Sequence, residues 1–278
     1  MSAKENIRLD GKVAVVTGGG RGIGRAAASI LARAGAAVAV VARTEEEIEE
    51  TASRIRQEGG YAMPVPADVT DWAAMKQVAD EVAQTWDAAD IVVANAGVLK
   101  PVGDTWEVDP ATWAQNLDVN LMGAFYTTRA FFPAMVERGR GVLIYVSSGA
   151  ATHPVAGWSA YCAAKAGLDH FGRTVAAEID QQGLSIRVHI LYPGVVDTAM
   201  QAKIREMPEE SFSRAEKYRR YHRQGQLRPP EEPGTLIWWL STPLAADFHG
   251  RAVSIDDESI RSRIATDLGL PKFTGRNR

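Results

Sequence analysis

With 278 residues, 46% hydrophobic and 23% charged, and a net charge of −3, the chain is long enough for a substantial core and ordinary for a globular protein. The slight acidity argues against bulk attraction to nucleic acid or an anionic membrane, and the longest apolar run, 36–42, is far too short to span a bilayer. The single cysteine, Cys162, leaves no intrachain disulfide; together with a first segment lacking the apolar core of a signal peptide, this suits a cytoplasmic protein.

Lys12–Thr17 is a short β-branched apolar run, the pattern of a parallel strand covered on both faces. It passes into a glycine-rich turn, Gly18–Gly24, and then into a helical pattern from Arg25 to Ala34. Strand, glycine turn and helix set backbone N–H groups and a helix N-terminus against a phosphate. The turn has the form Thr-Gly-x-x-x-Gly-x-Gly, with Thr17, Gly18, Gly22 and Gly24 at the fixed positions and Gly20, Arg21 and Ile23 between them. No Gly-Lys-Ser/Thr follows, so it is not a nucleoside-triphosphate loop.

Gly35–Ala42 forms a second strand, and its end bears on the cofactor. An acid there suits the ribose 2′-hydroxyl of NAD, and an arginine suits a 2′-phosphate. Ala42 takes the acidic position and Arg43 follows it. The expectation is therefore NADP(H) over NAD(H), with Arg21 as a second positive contact.

Further on, Tyr61–Pro66 is a third strand leading to Asp68-Val69. Residues 71–85 are helical, and Asp90–Ala94 is a fourth strand ending in Asn95-Ala96-Gly97. Residues 109–137 have the pattern of one long helix opened by Asp109-Pro110, with Asn120 inside it. A fifth strand covers Gly141–Ser147, and Ser148 stands just past its end. Such alternation predicts an α/β fold, one doubly wound parallel sheet of about seven strands of the Rossmann type, in a single domain over 1–278. Ligands sit beyond the carboxyl ends of such strands, where Thr17, Arg43, Asp68, Asn95 and Ser148 all fall.

Tyr161 and Lys165 are four residues apart and share one face of a helix. A phenol has an unperturbed pKa of about 10, and a neighbouring ammonium stabilises the phenolate and draws that value toward neutrality. With Ser148 returning to the same point to hold a carbonyl oxygen, the three can move a proton to or from an alcohol.

These motifs, with Pro193-Gly194 and Thr198, resemble the short-chain dehydrogenase/reductase family over roughly Gly11 to Thr198. The resemblance implies that Tyr161 is the acid-base, that Lys165 lowers its pKa and bonds the nicotinamide ribose, and that Ser148 holds the substrate oxygen. It further implies that Asn120 retains a water linking Lys165 to solvent. Asp68 and Val69 would touch adenine, and Asn95, Ala96 and Gly97 the ribose side. Pro193, Gly194, Val196 and Thr198 would position the nicotinamide amide. The expected activity is an NADP(H)-dependent interconversion of ketone or aldehyde and alcohol by a homo-oligomer, with no metal, nucleic-acid or membrane partner. An epimerase or dehydratase on the same fold, or a non-catalytic NADP-binding regulator, remains the alternative.

Substrate-side candidates by position are Leu99, His153, Val155, Trp158, Tyr192 and Val195, a largely apolar and aromatic set. In the resembled family, the stretch 199–228 is a lid. Here it is rich in lysine and arginine, which suits either attraction of an anionic substrate or, more simply, a solvated helix face. Trp238 and Trp239 point to different helix faces, one inward and one toward a subunit. The last strand, Gly250–Ile255, runs into Asp256-Asp257-Glu258 where the family has Asp-Gly-Gly. A charged tail, 256–278, then caps the cleft or a neighbour, or is disordered from about Pro271.

Overall fold

Runs of valine, isoleucine and alanine without alternating polarity build a sheet buried on both faces. The computed structural model describes residues 7–209, 212, 214–270 and 273. Among these, seven parallel strands pair in the order β3-β2-β1-β4-β5-β6-β7. The first half comprises β1 (Val13–Thr17), α1 (Gly22–Arg33), β2 (Ala37–Ala42), α2 (Glu45–Gln57), β3 (Tyr61–Pro66), α3 (Trp72–Trp86), β4 (Ile91–Ala94), α4 (Pro110–Leu117) and α5 (Gly123–Arg138). The second half comprises β5 (Arg140–Val146), α6 (Ser159–Gln182), β6 (Ser185–Tyr192), α7 (Ala199–Glu206), α8 (Ala215–Arg223), α9 (Glu231–Ser241), β7 (Arg251–Ser254) and α10 (Glu258–Leu268).

Two apolar layers cover the sheet. One gathers Leu31, Ile48, Leu236, Trp239 and Ile264 from α1, α2, α9 and α10. The other gathers Met75, Phe131, Met135, Leu168 and Ile179 from α3, α5 and α6. Strand order reverses between β1 and β4, so successive helices leave to opposite faces there and open a crevice at the carboxyl edge. Local chemistry sets the helix ends. Asp71 caps α3 by accepting from the N–H groups of Ala73 and Ala74, and Asp109 caps α4 by accepting from that of Thr112, ahead of Pro110.

Three expectations change. The first helix starts at Gly22, three residues before Arg25, with Gly22 itself still at the turn's positive φ of +53°. The expected long helix over 109–137 is interrupted by a π-helical turn, Asp118–Met122, in which the N–H of Gly123 reaches back five residues to the Asp118 carbonyl. Both Trp238 and Trp239 are engaged within the chain: the Trp239 indole is fully buried and donates to Asp267 on α10 (2.8 Å), and that of Trp238 donates to the Ile7 carbonyl (2.8 Å). The tail thus folds as α10 against α9. Pro271, where disorder was expected, lies outside the described residues. No helix among the described residues is long and apolar enough to cross a membrane.

On β6, His189 is fully buried, with Nδ1 3.1 Å from the Phe248 carbonyl and Nε2 unpartnered. Burial, reinforced by the charge of Arg187, pulls its pKa down to about 3. The folded state therefore keeps it neutral, whereas the unfolded chain takes up a proton below about pH 6.5. The stability it contributes is complete above that pH and is lost as pH falls from about 6.5 toward 3. In denaturant titrations across this window, His189→Gln is expected to flatten the loss by about 1.4 kcal/mol per pH unit, the slope for one proton. An unchanged slope would show that another group dominates acid unfolding.

Candidate active site

The glycine turn bends where side chains cannot fit. Gly18 sits at φ +64°, and a Cβ on Gly24 would lie 2.1 Å from the Gly18 carbonyl oxygen. This close packing aims the start of α1 into the crevice. No side chain caps that helix, and its first turn contains no acid. Its first N–H groups are thus left for an acceptor from outside the chain, which is what a pyrophosphate supplies.

The crevice has a volume of ≈ 400 Å³ and runs from Gly18, Gly20, Arg21, Gly22 and Ile23 past Arg43, Asp68 and Val69 to Asn95, Ala96, Gly97 and Leu99. It continues over Asn120, Tyr161, Lys165, Pro193 and Thr198 to Met200, Lys203 and Met207. At the β2 end, Arg43 lies 3.6 Å from Asp68 and Arg21 lies 3.6 Å from Glu47, and both arginine side chains are largely exposed. Pairs this loose and wet are weak, so either guanidinium is free to turn to an incoming anion. The Asp68 carboxyl is held below its usual range: burial opposes ionisation, but the Thr70 N–H and hydroxyl and the Arg43 charge outweigh it.

At the opposite end, Ser148 caps a short turn, Gly149–Ala151, by accepting from the Ala150 N–H (3.2 Å), and its hydroxyl lies near the Tyr161 phenol, where it favours the phenolate. Lys165 approaches the Tyr161 ring (5.7 Å to the centroid) and donates to the Val146 carbonyl (2.9 Å). Asn120, fully buried in the π-turn, donates to the Val98 carbonyl (2.8 Å) and accepts from the Val98 N–H (3.2 Å).

The electrostatics differ from expectation. Lys165 was expected to lower the phenol, yet burial pushes the Tyr161 pKa up to about 12, with the nearby Ser148 hydroxyl opposing it. Burial also draws Lys165 down to about 8, against the pull of Asp169. In so dry a site, the cost of charging each group exceeds their mutual stabilisation.

Several predicted contacts lie elsewhere. Thr17 is buried at the sheet edge, where its hydroxyl donates to the Val93 carbonyl (3.3 Å) and accepts from the Asn95 and Ala96 N–H groups (3.0 and 3.2 Å). Gly24 serves packing, as above. Val196 is buried and bridges to Arg228, and Gly194, at φ +70°, packs against Arg228 and Asp256. Tyr192 turns its hydroxyl to Asp169. The exposed His153 ring contacts the Thr152 hydroxyl (2.8 Å). The Val195 carbonyl accepts from the Arg228 N–H (2.9 Å). Leu99, Trp158 and Tyr161 share an apolar cluster with Ile204 and Phe212, flanked by Val155 and Met200.

The chain matches the family described as short chain dehydrogenase over residues 12–209. It is 34% identical to a galactitol 2-dehydrogenase of Rhizobium johnstonii, the match covering 92% of this chain and 98% of that one. It is 33% identical to a D-threitol dehydrogenase of Mycolicibacterium smegmatis (92% and 95% covered). Among solved structures, a variant of actinorhodin polyketide ketoreductase with NADPH superposes with a TM-score of 0.80 at 30% identity, covering 87% of this chain and 95% of that one.

Three residues of the site escaped the sequence reading: Asn116, Asp169 and Arg228. The first two lie one helical turn from recognised residues, which was a usable signal. Arg228 carried none, because its partners Glu232 and Asp256 come from α9 and the tail. The fully buried Asn116 amide donates to the carbonyls of Val98 (3.2 Å), Leu99 (3.0 Å) and Lys100 (2.8 Å). Asn116→Ala would leave these without their donor. It is expected to lower the unfolding free energy in denaturant by roughly 1–3 kcal/mol; a loss below a few tenths would show that the loop holds without it.

Proposed function

The chain belongs to the short chain dehydrogenase family and is an oxidoreductase of CH–OH and C=O groups; from that premise we propose that it uses NADP(H) to interconvert a ketone or aldehyde with an alcohol on a largely apolar or aromatic substrate. The observation that carries this is that Tyr161, with Ser148 beside it, and Lys165 line the same crevice as the uncapped N-terminus of α1.

The nicotinamide, when bound, supplies or accepts the hydride. The chain's part is the proton and the geometry. The Ser148 hydroxyl holds the substrate oxygen, and the Tyr161 Oη, protonated at neutral pH, donates to it in reduction. Lys165 holds positive charge near the phenol as the proton leaves. Asn120 stands behind Lys165, with Gly97 between them: a Cβ there would lie 2.8 Å from the Asn120 Oδ1 and 3.7 Å from the Lys165 Nζ. That arrangement supports a water relay to solvent. The N–H groups around Gly22, Ile23 and the start of α1 bind the pyrophosphate. Arg43 and Arg21 bind the 2′-phosphate, and Asp68, Val69, Asn95 and Ala96 flank the adenosine. Pro193 and Thr198 border the nicotinamide end.

The apolar cluster of Leu99, Trp158, Phe212 and Met200 beside Tyr161 supports an apolar substrate. The galactitol and threitol enzymes among its relatives favour a second reading, a polyol. A single domain, a cytoplasmic location and a homo-oligomer belong to the same proposal. The half-exposed Met122 and Phe125 support assembly, and light scattering tests it.

A panel of aryl and alkyl ketones and of sugar alcohols, followed at 340 nm, tests the activity. Tyr161→Phe is expected to cut kcat at least 100-fold with little change in cofactor affinity, the range set by general acid catalysis; full activity in this variant would sink the mechanism. Turnover without net nicotinamide change would instead favour an epimerase or dehydratase, and cofactor binding without any turnover a regulator. Separately, Arg43→Ala is expected to weaken NADPH binding roughly tenfold and leave NADH nearly unchanged, about the worth of one charge-assisted phosphate contact. A wild-type preference for NADH would overturn the NADP assignment.

A further inference from the structure

We infer that Asp169 is a positioning residue of this site, tying the carboxyl ends of β5 and β6 to the face of α6 that carries Tyr161 and Lys165. The inference rests on the oxidoreductase reading above and extends it to a residue that touches neither substrate nor cofactor.

Tyr161, Lys165 and Asp169 follow at four-residue intervals and share one face of α6. Asp169 is 5% exposed, and carboxylates are almost never buried so deeply unless they are partnered. Its two oxygens accept from two strands: Oδ1 from the Ser147 hydroxyl and Oδ2 from the Tyr192 hydroxyl. Ser147 immediately precedes Ser148, and Tyr192 immediately precedes Pro193. One turn earlier on the helix, Lys165 grips the Val146 carbonyl (2.9 Å). Two successive turns of α6 therefore hold residues 146 and 147. The Ser147 N–H in turn donates to the Leu191 carbonyl (2.8 Å), next to Tyr192. This lattice holds the backbone beside Ser148 against the helix face that carries Tyr161.

The carboxylate also acts on charge. Its attraction opposes the loss of the proton from buried Lys165. Other titratable and charged groups face the assembly. Tyr161, Cys162 and Arg173 come from α6 itself, Tyr192 from β6 and Tyr218 from α8. β5 contributes an uncharged carbonyl and hydroxyl, and the π-turn contributes the Asn120 amide. Removing the negative charge therefore leaves Lys165 less basic and the phenolate less supported.

The test is Asp169→Asn, read in two ways. In the ligand-free protein, the Lys165 amine is followed by NMR pH titration of ¹³Cε-lysine-labelled chain, assigned with Lys165→Met. Its midpoint is expected to fall by about half a pH unit or more, the scale of one nearby charge. In turnover of whichever panel alcohol the wild type oxidises, kcat is expected to fall roughly tenfold with KM nearly constant, and the rising acid limb of its pH profile to move to lower pH with the Lys165 midpoint. Tyr192→Phe keeps the carboxylate and loses one tie, so its kcat should fall while the Lys165 midpoint stays. A folded Asp169→Asn chain with wild-type kcat overturns the inference, as does one whose kcat falls with both midpoint and pH limbs unmoved. If Asp169→Asn does not fold, Tyr192→Phe decides: wild-type kcat there overturns the tie and a fall supports it. A wild type that oxidises no alcohol sinks the oxidoreductase reading instead, and the Lys165 titration still decides whether Asp169 acts on that amine.

Discussion

Everything at the carboxyl edge hangs on the tie between Thr17 and Asn95. At the point where β1 and β4 part company, the Thr17 hydroxyl accepts from two successive N–H groups of the β4 loop. The Asn95 amide returns the contact by donating to the Thr17 and Gly18 carbonyls (2.9 and 3.3 Å). A doubly wound sheet must split there, and a split leaves backbone groups without ladder partners. These two side chains satisfy them and so fix the glycine turn against the Asn95–Gly97 loop. The crevice is the space left over, with an uncapped helix on one bank and the Asn120 turn on the other.

Burial makes this site dry, and dryness sets its resting charge. Inside, the Tyr161 phenol is pushed up and the Lys165 ammonium down, because each charged form loses more hydration than the other restores at 5.7 Å from the ring centroid. The phenol is consequently protonated at neutral pH, the form that the proposed carbonyl reduction uses. Alcohol oxidation needs the phenolate, so it depends more heavily on whatever keeps Lys165 charged, and the buried carboxylate one turn away is placed to do that. On the proposed mechanism, the two directions of one reaction lean on different members of the same helix face.

What the sequence made legible is what local rules encode. The expected bounds of β3 and β6 match residue for residue; the largely apolar run Ile186–Leu191 marked β6, whereas β3 is an edge strand with Val65 as its one β-branched residue. The glycine spacing marked the turn because close backbone approach forbids a Cβ there. The π-turn was not legible: Asn120 has ordinary helical spacing, and only the loop at Val98, brought in from β4, makes it profitable to break the helix ladder (its amide also reaches the Asn116 carbonyl). Tyr192 and His153 were assigned by their nearness in sequence to Pro193 and Ser148. Side-chain direction sent one to Asp169 and the other to solvent, and direction belongs to tertiary packing. Arg228 joins three segments, 195–197, α9 and the tail, none of which announces the others.

The segment between β6 and α9 shows why its composition misleads. Half of its lysines and arginines, Arg205, Arg219, Arg223 and Arg228, are paired within the chain. Arg219 donates to the Arg205 and Met207 carbonyls (2.9 and 2.6 Å) and pairs with Glu209, Arg223 pairs with Glu216, and Arg205 reaches Asp197. Arg219 ties α7 to α8. Attachment to the body of the protein comes instead from rings: Trp158 stacks on Phe212 and Tyr218 at 5.2 and 5.7 Å and sets its edge against Tyr161 at 5.8 Å. Aromatic pairs of this kind each add about 0.5–1.5 kcal/mol beyond area burial, more than an exposed ion pair supplies. The segment is thus fastened beside the reacting phenol by apolar contact, and whatever enters there must displace or extend a stack of rings. The one lysine on the crevice wall in this segment, Lys203, is left as the polar contact an otherwise apolar substrate would meet.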